Sequence, residues 1–170
     1  MRVQRVLDFT GGEPSVRSVD RDAVERELRV PLPADHKELC GAFGGGTFCE
    51  SASFLGNMEG PMFHLLVRWR ASLSISRDGE PYPAYTPGGH GFVTWASSEW
   101  ADQYCRLLAA QRPGEYCILA RGDAGEWSRH EMSTSEFLYR VLADKEFKPF
   151  GITEYNLDPT FQPGCSVHGS

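Results

Sequence analysis

The chain lacks any apolar run approaching the roughly 20 residues that a membrane span needs. Its opening stretch, MRVQRVLDFTGGEP, lacks the apolar core of about 7–15 residues that marks a secretion signal. Cysteine is scarce. The five present (Cys40, Cys49, Cys105, Cys117 and Cys165) leave one outside any full set of disulfides, and none forms a CxxC pair. Three or four of them sit in apolar stretches, where cysteine behaves as a small hydrophobe, so reduced structural thiols are expected. Basic residues are outnumbered, 17 against 23 acids, for a formal net charge of −6 and a pI near 5.4. That balance argues against nucleic-acid binding, which wants a basic face. Internal repeats, linkers and low-complexity blocks are also missing. These absences predict a cytoplasmic protein that engages neither membranes nor nucleic acid.

What is present reads as one domain over residues 1–170. The 170 residues (19.0 kDa) suffice to bury a core, and 41% hydrophobic with 24% charged residues is ordinary for a globular protein. The most legible stretch is Val24 to Phe48. A short amphipathic run with Val24 and Leu28 one turn apart stops at Val30-Pro31, because proline disfavours helical geometry before it and cannot donate the next helical bond. Pro33 restarts a helix, being tolerated in a first turn. Asp35 adds a carboxylate near the positive end of that helix dipole. Leu32, Leu39, Cys40 and Phe43 share one face. Gly44-Gly45-Gly46 ends the helix, since glycine accepts the left-handed conformation of a C-terminal cap. Thr47 to Glu50 then opens a strand.

Met1 to Val19 predicts a short helix or strand docked on the core, and Asp20 or Asp22 is placed to cap the next helix. Met62, Leu65, Leu66, Trp69 and Leu73 form a helical stripe. Arg77 to Gly91 is a long loop rich in proline and glycine, of the length that is often functional. Its Tyr82 and Tyr85 are expected to be partly exposed. Strands follow at Phe92 to Trp95, Asp102 to Leu108, Glu115 to Arg121 and Glu126 to Met132, with Gly122-Asp123-Ala124-Gly125 closing the last hairpin. Tyr116 to Ala120, apolar on both faces, predicts a strand covered on two sides. Ser133-Thr134-Ser135-Glu136 is a capping box for a final helix, with Met132 and Phe137 placed as a hydrophobic staple. Residues 145–170 have no period but many aromatics, and are expected to wrap the domain as far as Phe161. The order α-α-β-(β)-α-β-β-β-β-α predicts an α+β fold, a mostly antiparallel sheet of about five or six strands with helices packed on it. The expected core is Leu28, Leu32, Leu39, Phe43, Phe48, Leu66, Trp69, Trp95, Ile118, Leu119, Phe137, Leu138 and Val141.

The string LPADHKELCGAFGGG, following a short acidic helix and leading into a strand, resembles the signature of the SUKH superfamily. FVTWASSEWADQYCRLL, EYCILAR and EWSRHEMSTSEFLYRVL resemble that family's later strands and final helix, in the same order. The resemblance covers roughly residues 20–144. It implies a SUKH-like α+β domain and the activities of that superfamily: bacterial immunity proteins that occupy toxins, and fungal regulators of cell-wall synthesis. Its motifs consist of structural residues and mark no binding site.

The side chains themselves offer little chemistry. His36 and Cys40 lie one helical turn apart, but a tight metal site wants three or four ligands and no second cluster supplies them. The glycine runs at 44–46 and 88–91 lie in the wrong context for a phosphate cradle. No nucleophile, base and oxyanion set assembles. A non-catalytic binding module without metal or cofactor is therefore expected. Under the resemblance its partner would be a toxin domain. Toxins acting on nucleic acid are basic, and a chain at −6 is suited to meet one. Candidate contacts are the acids Asp20, Asp22, Glu25, Glu99 and Asp102, with Tyr82, Tyr85 and Trp100 as aromatic anchors. The alternative is a regulatory scaffold for an endogenous protein.

Overall fold

The computed structural model describes residues 2–12, 21–56, 63–75, 78–112, 116–147, 149–150 and 158–164. Within these the elements are α1 (Arg2–Thr10), α2 (Arg21–Leu28), α3 (Ala34–Phe43), β1 (Gly46–Phe48), β2 (Ala52–Phe54), α4 (Leu65–Leu73), β3 (His90–Ser98), β4 (Gln103–Ala109), β5 (Ile118–Arg121), β6 (Trp127–His130), α5 (Thr134–Ala143) and β7 (Phe161–Pro163). The seven strands form one sheet in the order β6-β5-β4-β3-β2-β1-β7. Every neighbouring pair is antiparallel. The fold is α+β, with one strand more than the upper expectation. The extra strand is β7, which closes on β1 through Phe48↔Phe161. Its Phe161 ring lies 4.8 Å from Phe43 and 4.7 Å from Phe48, so the aperiodic C-terminal stretch is held by aromatic packing. The N-terminal segment is the helix α1, whose Val3, Val6 and Leu7 are buried.

Local chemistry accounts for the element ends. Gly44 caps α3 with φ 73°, returning its N–H to the Cys40 carbonyl at 2.8 Å. Gly46 lets β7 approach, since a Cβ there would stand 2.3 Å from the Gln162 oxygen. Ser133 caps α5, accepting from the Glu136 amide at 3.3 Å. The β5–β6 hairpin closes through the Gly122 amide to the Glu126 carbonyl at 2.9 Å.

One face of the sheet carries the main core beneath the helices: Phe48, Phe54, Trp95, Tyr104 and Ile118 from strands, with Leu28, Leu39, Phe43, Phe137 and Val141 from helices. Of the expected core only Leu32 departs, being half-buried at its edge. The other face carries a smaller cluster of Phe92, Cys105, Cys117 and Leu119 beneath Tyr82, Ala84 and Trp127. Of the expected Tyr116 to Ala120, Cys117 to Ala120 is therefore covered on both sides, while Tyr116 is half-buried. The α4 stripe is shorter than its spacing suggests. The helix begins at Leu65, Met62 lies outside the described residues, and Leu73 is 44% exposed. Among the described residues no helix is long and apolar enough to cross a membrane.

Candidate functional site

The strand register fixes which turns share an end of the sheet. Ala52 pairs with Ser98, Gln103 with Ser97 and Arg121, Arg121 with Trp127, and Phe48 with Ala52 and Phe161. The β1–β2 turn, the β3–β4 turn, the β5–β6 turn and the segment leading into β7 therefore lie along one end. Hydrogen bonds join three of these segments: Glu99 N donates to Ser51 O at 3.0 Å, and Cys49 N donates to Thr160 O at 2.8 Å. Across this end, from β6 to β7, stand Glu126, Asp123, Glu99, Glu50 and Asp158, all exposed. Residues 49–51, 99–102, 122–126 and 158–160 contain no lysine or arginine. The result is an acidic rim built from segments spread over more than half of the chain.

Within the rim the β3–β4 turn is held by hydrogen bonds of its own. The Ser98 hydroxyl donates to the Asp102 carboxylate at 2.8 Å and accepts from the amides of Trp100 and Asp102, each at 3.2 Å. Trp100 is half-buried and packs against the edge of the main core. The Ser51 hydroxyl donates to Glu99 at 3.3 Å. Cys49 (φ 52°), Glu50 (φ 57°) and Ala101 (φ 64°), all in these turns, hold left-handed backbone without being glycine. Each such residue costs about 1–2 kcal/mol relative to ordinary geometry, a strain that clusters at functional surfaces.

At the β6 flank the rim runs into an aromatic pair. Tyr82 and Trp127 have ring centroids 5.2 Å apart. Glu80 binds both Arg121 Nη2 at 2.8 Å and Trp127 Nε1 at 2.7 Å, which pins the 78–89 loop on this face of the sheet.

The expected contact residues divide. Glu99, Trp100 and Tyr82 belong to the rim and its flank. Asp102 is corrected: at 2% exposure it organises the turn from inside. Tyr85 is corrected too. It is fully buried, its hydroxyl donating to the Leu28 carbonyl at 2.9 Å while its own carbonyl accepts from Trp69 Nε1. Glycines and prolines around it signal a loop but not which way that loop folds. Asp22, which is exposed, and Glu25 belong to another surface, on α2. Glu25 pairs with Lys37 at 2.6 Å and accepts from the Leu32 amide at 2.7 Å. Burial pushes its pKa up, but these two donors outweigh that and leave the carboxyl below its ordinary value. Asp20 lies outside the described residues. Glu50, Asp123, Glu126, Asp158 and Trp127 were not singled out from sequence. The hairpin signal at 122–125 locates Asp123 and the adjoining Glu126, but nothing local shows that the turns align.

His36 and Cys40 line a cavity of about 10 Å³ with Val24, Leu32, Lys37, Gly56 and Leu65, which holds no more than a water. Among the described residues no group of three His, Cys, Asp or Glu is placed to hold a metal. A second concavity of about 420 Å³ lies between α1 and α5, but its charges are matched within it. Arg5 stacks on Tyr139 at 4.5 Å, and Arg140 pairs with Asp144 at 3.2 Å beside Glu136. Comparisons with protein-family models, curated proteins and solved structures find no match to this chain.

Proposed function

We propose that this chain is a non-catalytic immunity protein of SUKH type, which neutralises a basic toxin domain by binding it through the acidic rim. The observation that carries the reading is the alignment of Glu126, Asp123, Glu99, Glu50 and Asp158 along one end of the sheet, in turns free of lysine and arginine. Occlusion needs no chemistry, only a complementary surface over the toxin's working site. A toxin that grips phosphates is cationic there, so like-signed acids on one end speed encounter and set orientation. Trp100 at the centre and the Tyr82–Trp127 pair at the flank supply large anchors of the kind that carry binding energy. The SUKH resemblance of LPADHKELCGAFGGG supports the same role.

Expression of each neighbouring gene's product, with and without this chain, tests the proposal. Growth rescue from a toxic neighbour together with co-purification of the two proteins is the expected result. A neighbour that stays toxic despite stoichiometric amounts of this chain contradicts it. Capture of a harmless endogenous protein instead favours the second reading, a regulatory scaffold.

A further inference from the structure

We infer that the outer edge of β6 is a self-association surface, on which a second copy of this chain adds its own β6 in antiparallel register. β6 ends the sheet, and no described residue pairs with its outer side. The hairpin fixes which backbone groups lie there. Gly122 and Glu126 continue the β5–β6 register and are joined by a hydrogen bond at 2.9 Å. Opposite residues in an antiparallel pair alternate between bonded and non-bonded. Ala120↔Ser128 and Ile118↔His130 are therefore bonded pairs. Trp127 and Arg129, opposite Arg121 and Leu119, turn their amides and carbonyls away from β5. Such an edge is a template for another strand.

Charge selects the occupant. Edges that resist pairing carry lysine, proline or a bulge. The other edge of the sheet, β7, is three residues long and contains Pro163. β6 has neither proline nor bulge, and the charges beside it alternate in sign. Arg129 and Glu131 pair on one face at 2.6 Å, with 55% and 70% of their side chains exposed. A two-fold axis through His130 sets Arg129 of each copy opposite Glu131 of the other, so the edge is complementary to itself. The exposed pair contributes little to one chain alone, and exchanging partners costs little. The same axis points the acidic ends of the two sheets in opposite directions, which keeps like charges apart and leaves both rims open. The inference is thus independent of what the rim binds.

Sedimentation equilibrium of the full chain tests the surface. Reversible association toward twice the 19.0 kDa mass is expected, with a Kd on the order of 10 μM, since one strand pair buries little area. Arg129→Pro removes an amide that points away from β5, so it should keep the circular dichroism spectrum and abolish the dimer. Arg129→Glu should weaken association about tenfold, and adding Glu131→Arg should restore it, a rescue that a purely structural role would not give. Amide exchange at Arg129 should slow as concentration rises, while Ser128 stays protected throughout. A mass of 19.0 kDa at every concentration, or a dimer that survives Arg129→Pro and the charge reversal, would overturn the inference. Protection of Arg129 only on adding a basic toxin domain would also overturn it, giving the edge to that partner.

Discussion

The Asp35 carboxylate of α3 accepts the Ser135 amide of α5 at 2.8 Å, so a residue near the start of one helix caps another that begins a hundred positions later. Its place in the sequence predicts a partner in its own helix dipole, and the fold supplies a distant one. Asp35→Ala should cost about 1–2 kcal/mol in urea denaturation, the usual loss for a removed cap. Asp35→Asn, which keeps an acceptor oxygen, should lose less. Equal losses for the two variants would show that the hydrogen bond contributes nothing beyond the charge.

Glu50 is held at φ 57° in the rim. Glu50→Gly should raise stability by about 1 kcal/mol, because glycine occupies that region without the Cβ penalty. The same substitution removes a rim carboxylate and should weaken partner binding. A variant more stable and equally tight would place Glu50 outside the interface.

His36 links stability to pH. Burial first, then the nearby Arg106 charge, lower its pKa from 6.5 to about 4 against the opposing pull of Asp35. The native state keeps the ring neutral while the unfolded chain protonates it near 6.5, so the unfolded state binds more protons between those values. The stabilisation is complete above about pH 6.5 and is lost as pH falls toward 4, an effect of about 3 kcal/mol. Chemical denaturation from pH 7 to pH 4 should therefore show a shallower loss for His36→Leu than for the native chain. Parallel profiles would assign the acid sensitivity to other groups.

Phe43 and Phe137 pack from α3 and α5 into the same core at 3% and 0% exposure. Phe43→Ala and Phe137→Ala should each cost about 3–5 kcal/mol. Losses below about 1 kcal/mol would mean that the core collapses around the missing ring.

Signals carried by a few adjacent residues were legible in the sequence. The Ser133 cap, the glycine stop at Gly44, the 122–125 turn and the doubly covered Cys117–Ala120 all rest on local backbone chemistry, and the structure keeps each. Exposure was legible less consistently in aperiodic stretches, where Glu99 and Tyr82 are placed as expected but Tyr85 and Asp102 are not. Tyr85 lies among prolines and glycines, yet its hydroxyl reaches the Leu28 carbonyl 57 positions away, a contact no local window contains. Asp102 reads as a surface acid because its partner, Ser98, matters only once the β3–β4 turn has closed. The rim is further from view, since aligning Glu50, Glu99, Asp123 and Asp158 depends on the register of all seven strands. β7 in particular comes from a stretch without hydrophobic period, joined to the core by the Phe161 ring.

The central claim is that the rim meets a basic partner, and association kinetics with the toxin domain recovered by co-purification test it most directly. The rate constant should fall steeply with salt for the native chain. It should slow tenfold or more in the triple reversal Glu50→Lys, Glu99→Lys and Asp123→Lys, while Asp22→Lys on α2 changes it little. Association that is insensitive to salt and unchanged by the triple reversal would contradict the account.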